Sequence, residues 1–149
     1  MRVVIQKVKK AKVRVNEESV SEISDGLLVF AGLEKDDTEE VLKWVANKIV
    51  NLRIFEDNNG KMNLSLRDVN GELLVVSQFT LASYIGKGNR PSFSDAMGEG
   101  EARVAFDRFV KMLEGIYPHC KTGVFRAHME VELVNDGPVT FIIEKHPKT

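Results

Sequence analysis

The sequence predicts an α+β domain with a mainly antiparallel sheet and two amphipathic helices. Three observations carry this reading. Most apolar residues alternate with polar ones at period two, two separate stretches switch to helical spacing, and turn dipeptides punctuate the alternating stretches. The chain has 149 residues, the size of one domain, so 1–149 is expected to fold as a single unit with a sizeable core.

Taken in order, Arg2–Lys7 and Ala11–Val15 read as strands, followed by Ser19–Ile23. Ser24-Asp25-Gly26 is turn chemistry, and Leu27–Ala31 is a continuous apolar run suited to a buried strand. Asp37-Thr38-Glu39-Glu40 resembles a capping box, and Val41, Val45, Ile49 and Leu52 follow at helical spacing. This predicts a helix over Thr38–Leu52, with Leu42 and Trp44 widening its buried stripe and Trp44 in the core. Met62, Leu64 and Leu66 alternate with polar residues between Asn59-Gly60 and Asn70-Gly71, which predicts a short strand. Glu72–Ser77 is a further apolar strand. Ala82–Gly100 is polar, glycine-containing and weakly periodic, as functional loops often are. Glu101–Ile116 shows a second helical stripe through Ala102, Phe106, Phe109 and Leu113. Lys121–Phe125 reads as a strand. Met129–Val134 and Val139–Ile143 read as a hairpin around Asn135-Asp136-Gly137-Pro138.

Composition narrows the functions. With 21 basic and 22 acidic residues the net charge is −1, so a nucleic-acid partner must be met by a local patch. Lys10, Lys12 and Arg14 share one face of a strand, as an RNA-contacting patch or as an ordinary solvated face. No run of about 18 apolar residues is present, so no membrane span is expected. The apolar stretch after Met1 is too short for a signal peptide. Cys120 is the single cysteine, which excludes an intrachain disulfide and suits a reducing cytoplasm. His119, His128 and His146 lack the spacing of a zinc site, and Gly86-Lys87-Gly88-Asn89-Arg90 lacks a phosphate-loop ending. Neither metal nor cofactor is expected, although Lys87 and Arg90 can each touch an RNA phosphate.

Two segments carry candidate chemistry. Ser77-Gln78-Phe79-Thr80 places two hydroxyls and an amide where a buried strand opens into a loop, a position suited to binding or catalysis and equally to strand-end capping. Ser77 or Thr80 can act as a nucleophile only beside a base, and no partner set is evident. Asn135-Asp136-Gly137-Pro138-Val139-Thr140 is a turn by composition. Its Gly-Pro bond is open to the cis form, and its glycine permits close backbone approach.

Together these two segments resemble the signature motifs of the D-aminoacyl-tRNA deacylase family. Gly26-Leu27-Leu28-Val29, Glu34-Lys35-Asp36-Asp37, Arg53-Ile54-Phe55, Gly60-Lys61-Met62-Asn63, Arg90-Pro91-Ser92-Phe93 and Thr122-Gly123 agree in the family's order. The resemblance implies a barrel-like core and a homodimer that cleaves the ester between a D-amino acid and the 3′ end of tRNA. It assigns Ser77, Gln78, Phe79 and Thr80 to the catalytic pocket, with the Phe79 N–H as oxyanion donor. It assigns Phe125 and Met129 to substrate binding. Gly137 and Pro138, joined by a cis bond, would enter the other subunit's pocket, bind the α-amino group by main-chain carbonyls and exclude an L side chain. Glycyl-tRNA, lacking a side chain, would also be accepted. The 2′-hydroxyl of the terminal adenosine would supply much of the chemistry. This chain departs from the family in carrying Lys7 where many members have Arg, which loses a planar fork. It also carries Arg126 and His128 where Gly and Asp are common. The competing readings are a non-catalytic RNA-binding module and a small-ester hydrolase acting through Ser77 or Thr80.

Overall fold

In the computed structural model, which describes residues 1–148, Arg2–Val15 forms one unbroken strand, β1. Its burial alternates with period two but changes phase twice. Val3 and Ile5 are buried, then Val8, then Ala11 and Val13. A one-residue slip moves every following side chain to the opposite face. Register shifts against its neighbour lie between Gln6 and Val8 and between Val8 and Lys10, where the phase changes. The expected break between two strands is therefore an irregularity inside one strand.

β2 (Glu18–Ile23), β3 (Gly26–Gly32), β6 (Glu72–Ser77), β7 (Cys120–Thr122) and β8 (Glu130–Glu144) complete the main sheet, in the order β2-β1-β3-β6-β7 with β8 along β1. β4 (Phe55–Glu56) and β5 (Met62–Leu64) form a separate ribbon. The β1 pairings with β2, β3 and β8 are antiparallel, as expected, but β3–β6 and β6–β7 are parallel. Parallel neighbours require a crossover, here made by helices, and their strands are covered on both faces. That is why Leu27–Ala31 and Leu73–Val76 read as continuous apolar runs. The sheet nearly closes into a barrel. Ser21 Oγ donates to the Thr122 carbonyl at 2.7 Å and Lys121 Nζ to the Glu22 carbonyl at 2.7 Å, joining the two ends of the path.

Helix α1 (Glu39–Asn51) starts at Thr38, whose hydroxyl accepts from the Val41 N–H, a cap that contributes about 1 kcal/mol. Asp37 plays another part, accepting from the Glu34 N–H at 2.8 Å. Trp44 is not core. It is 39% exposed, with the Lys48 and Lys145 ammonium groups 4.9 and 4.7 Å from its ring centre. A short helix, α2 (Leu66–Val69), takes the end of the expected strand, because Ser65 and Asp68 form a capping box. α3 (Glu99–Ile116) begins two residues earlier than the periodicity indicates, and Phe106, Phe109 and Leu113 face the core. α1 and α3 cover one side of the sheet over Val3, Ile5, Val29 and Val75, while Val8, Val13, Leu28 and Leu74 form a second cluster on the other. No helix among the described residues is long and apolar enough to cross a membrane.

The expected hairpin in the last third is instead one strand, β8, interrupted in its middle. Gln6 pairs with Thr140 and Val8 with Asn135, so residues 136–139 bulge out while both halves remain on β1. Turn chemistry is present, but the chain leaves and rejoins the same strand line.

Gly26 stands opposite Glu72 in the β3–β6 pair, and a Cβ there would lie 1.8 Å from the Glu72 carbonyl oxygen. Gly26→Ala is expected to part these strands and to lower unfolding free energy by about 3 kcal/mol. Gly60→Ala, with open space around the added carbon but φ of +72°, is expected to cost about 1 kcal/mol. Urea midpoints of the two variants check this order.

Candidate functional site

β6 carries the chain out of the core at Ser77, and the next residues turn sharply. Phe79–Ala82 is one turn of 3-10 helix. Its position is set by β3. The Gln78 N–H donates to the Ala31 carbonyl at 2.8 Å, and Gly32 leaves room for the following residues. A Cβ on Gly32 would lie 2.8 Å from Leu81 Cβ and 2.9 Å from the Gln78 carbonyl oxygen. From the far side, Arg2 Nη1 donates to the Leu81 carbonyl at 3.0 Å. The turn is thus held on rigid strands, as a preorganised site requires.

A cavity of about 460 Å³ opens beside this turn. One wall is Val76, Ser77, Gln78 and Phe79, and another is Phe125 to Met129 with Val131. Leu33, Met97, Glu99 and Ala102 complete it from the end of β3 and the start of α3. Five of the expected site residues, Ser77, Gln78, Phe79, Phe125 and Met129, therefore share one pocket. Thr80 does not line it. Its hydroxyl accepts a short hydrogen bond from the Gln78 side-chain amide. Gly137 and Pro138 do not line it either.

The pocket combines apolar walls with few polar groups, the usual form of a small-molecule site. Phe79 is 45% exposed and packs on Phe93 with ring centres 5.3 Å apart, so the 83–98 loop supports the turn. Across the mouth, the Arg126 guanidinium lies 5.3 Å from the Phe79 ring centre and Arg126 Nη2 is 3.3 Å from Glu99 Oε2. Phe125 packs on Phe106 at 5.8 Å and carries the Arg103 guanidinium 4.8 Å above its ring. As the first residue of its turn, Phe79 has a backbone N–H with no partner inside the turn, free to face a developing negative charge.

Glu99 and Met97 escaped sequence reasoning because they sit where a featureless loop meets a helix. Arg126 and His128 drew notice only as departures from a family pattern. Among the described residues, neither Ser77 nor Thr80 hydrogen-bonds to a histidine or carboxylate. The Cys120 thiol, pushed up to about 12 by burial and by nearby Glu114, lies outside this pocket. Among the described residues, no group of three or more metal-ligating side chains is assembled.

The expected basic face is largely neutralised. Lys12 lies 3.8 Å from Glu22 and Arg14 is 3.2 Å from Glu132. The Gly137–Pro138 bond is cis, and Gly137 has φ of +144°. Asn135 braces this bulge. Its Oδ1 accepts from the Val139 N–H at 2.9 Å, and its Nδ2 donates to Thr140 Oγ1 at 3.0 Å and the Val139 carbonyl at 3.4 Å. Lys7 reaches the bulge as a point charge, 3.7 Å from Asp136 Oδ2.

Comparison with known proteins follows the same lines. A family model described as D-Tyr-tRNA(Tyr) deacylase matches residues 4–144. D-aminoacyl-tRNA deacylase of Thermotoga petrophila is 54% identical over 144 residues, covering 97% of each chain. That of Chlorobaculum tepidum is 54% identical over 150 residues, covering 99% of each. The solved structure of a c-Myc DNA unwinding element binding protein superposes with a TM-score of 0.94 at 40% identity, covering 99% of this chain and 100% of that one. With matches of this identity along nearly its whole length, the chain belongs to the D-Tyr-tRNA(Tyr) deacylase family.

Proposed function

We propose that this protein hydrolyses the ester linking a D-amino acid to the 3′ end of tRNA, releasing the free amino acid and tRNA. One observation carries the reading. A preformed pocket is built on Ser77-Gln78-Phe79 and Phe125–Met129, in a chain 54% identical over nearly its full length to D-aminoacyl-tRNA deacylases.

The pocket holds the substrate more than it attacks it. Thr80's hydroxyl is engaged by Gln78, and among the described residues neither it nor Ser77 is hydrogen-bonded to a histidine or carboxylate. The ester carbonyl sits against the Phe79 N–H, which stabilises the oxyanion as water adds to the carbonyl carbon. Collapse breaks the bond to the ribose oxygen, which leaves with a proton. The neighbouring 2′-hydroxyl of the terminal adenosine assists that proton movement. Phe125 and Met129 give the reacting end an apolar seat.

Chirality is read by a second copy of the chain. Gly137 and Pro138 are exposed and outside their own pocket, and Val134, Phe141 and Ile142 on the same strand are 41%, 38% and 67% exposed. Exposed apolar side chains of this kind suit burial in a homodimer. In that dimer, Gly137 and Pro138 of the partner subunit enter the pocket. Their carbonyls bind the α-amino group, and their backbone occupies the space an L side chain needs. Glycine passes the same barrier, so glycyl-tRNA is a second substrate.

Release of labelled amino acid from D- and L-tyrosyl-tRNA tests the reading. D is expected to turn over at least about a hundredfold faster, a difference of about 2.7 kcal/mol in transition-state binding. Equal turnover, or none of either, rejects chiral editing. Thr80→Ala is expected to retain activity within about tenfold, whereas a loss above about a thousandfold in a folded variant would make Thr80 the nucleophile. Asn135→Ala removes the brace on the bulge. It is expected to lower the D-to-L ratio while the melting temperature falls by less than about 8 °C, the effect of roughly 1–2 kcal/mol in a domain this size.

A further inference from the structure

Arg126 is the one pocket-lining residue that combines an uncommon backbone with a charged side chain across the pocket mouth. Its φ is +66°, the left-handed region that a non-glycine residue rarely enters. Glycine would sit there freely, yet this chain places its longest cation there. The side chain is not idle. The guanidinium covers the Phe79 ring at 5.3 Å and reaches Glu99 Oε2 at 3.3 Å, so it links the strand-end turn to the start of α3.

The link is exchangeable. Arg126 and Glu99 side chains are 42% and 56% exposed, and an exposed pair of this kind is weak because solvent screens it. A doubly hydrogen-bonded phosphate is a stronger partner for a planar guanidinium than a single carboxylate oxygen. The position suits such a partner. With the scissile ester at the Phe79 N–H, the nearest negative charge on the substrate is the phosphodiester of the terminal nucleotide, one sugar away. The guanidinium over the Phe79 ring belongs to the same pocket lining and is partly exposed to solvent.

We propose that Arg126 binds the phosphodiester of the terminal tRNA nucleotide, leaving Glu99 to do so, and so positions the ester in the pocket. The proposal rests on the deacylase reading. It makes Arg126 a binding residue for the polynucleotide and Glu99 its resting partner. Phe79 then serves both the oxyanion, through its N–H, and the guanidinium, through its ring.

The experiment compares two substrates, D-tyrosyl-tRNA and the 3′-D-tyrosyl ester of adenosine, which has no phosphate. Arg126→Gly suits the backbone and is expected to melt no lower than wild type. On tRNA its KM is expected to rise about tenfold, with kcat changed less than twofold, as for loss of a charge-assisted contact. The loss of kcat/KM on the adenosine ester is expected to be at least about threefold smaller. The slope of log KM against log salt on tRNA is expected to fall by about one contact. Arg126→Lys is expected to restore part of the tRNA KM. Glu99→Gln frees the guanidinium and removes a repelling charge, so its tRNA KM is expected to fall. Equal losses on both substrates, an unchanged salt slope, or a Glu99→Gln variant as weak as Arg126→Gly would each overturn the phosphate role. Wild-type protein that releases no D-tyrosine from tRNA overturns the deacylase reading itself, and the proposal with it.

Discussion

The fold depends on β1 having partners along both edges. One edge carries β3 and then β2, and the other carries β8 along nearly its whole length. A strand in this position must satisfy two ladders and two apolar clusters at once. It does so by changing phase, with Val3 and Ile5 serving the helix-covered cluster and Val8, Ala11 and Val13 the other. Each phase change leaves a residue that the ladder cannot absorb. At Gln6–Val8 the excess falls on the partner, and the residues extruded there include Gly137 and Pro138. The bulge is therefore a by-product of joining two cores with one strand pair.

The pocket follows from the neighbouring pair, β3 and β6. Gly26 and Gly32 mark the two ends of β3, where the chain packs closest. At the Gly32 end, that closeness draws Gln78 against β3 and sets the turn at Phe79. The Phe79 N–H, first in its turn, is left without a partner inside the turn at little cost because the flanking strands are already fixed. In the proposed reaction, main chain of this kind would supply the electrostatic preorganisation that a site with no bonded acid–base pair needs for a tetrahedral intermediate.

Much of this was legible in the sequence wherever one periodicity governed a whole segment. α1 and α3 announced themselves by helical stripes, and β3 and β6 by apolar runs. The failures share a cause: local chemistry was read correctly while its tertiary setting was invisible. Asn135–Pro138 has turn composition, but only the β1 ladder decides that it is a bulge and not a hairpin end. Ser65 and Asp68 form a capping box, yet the alternation of Met62, Leu64 and Leu66 masked it. Trp44 lies on the edge of the α1 stripe, and the two lysine stems that cover it come partly from the far end of the chain. In the site, Thr80, Gly137 and Pro138 do not line the pocket, whereas Ser77 to Phe79, Phe125 and Met129 do. Glu99 joins them only through the packing of α3, which no local pattern encodes.

The construction of β8 has a consequence for how this chain can vary. The ends of a surface loop are free to drift apart or together, so loops gain and lose residues easily. Residues 136–139 have both ends locked into the ladder of a single strand. A change of length there that carried into the ladder by one residue would turn either Val131 and Leu133 or Phe141 and Ile143 to the wrong face. The length of the segment is thus tied to the ladder on either side of it, which makes residue count, as much as residue identity, a constraint on this part of the molecule.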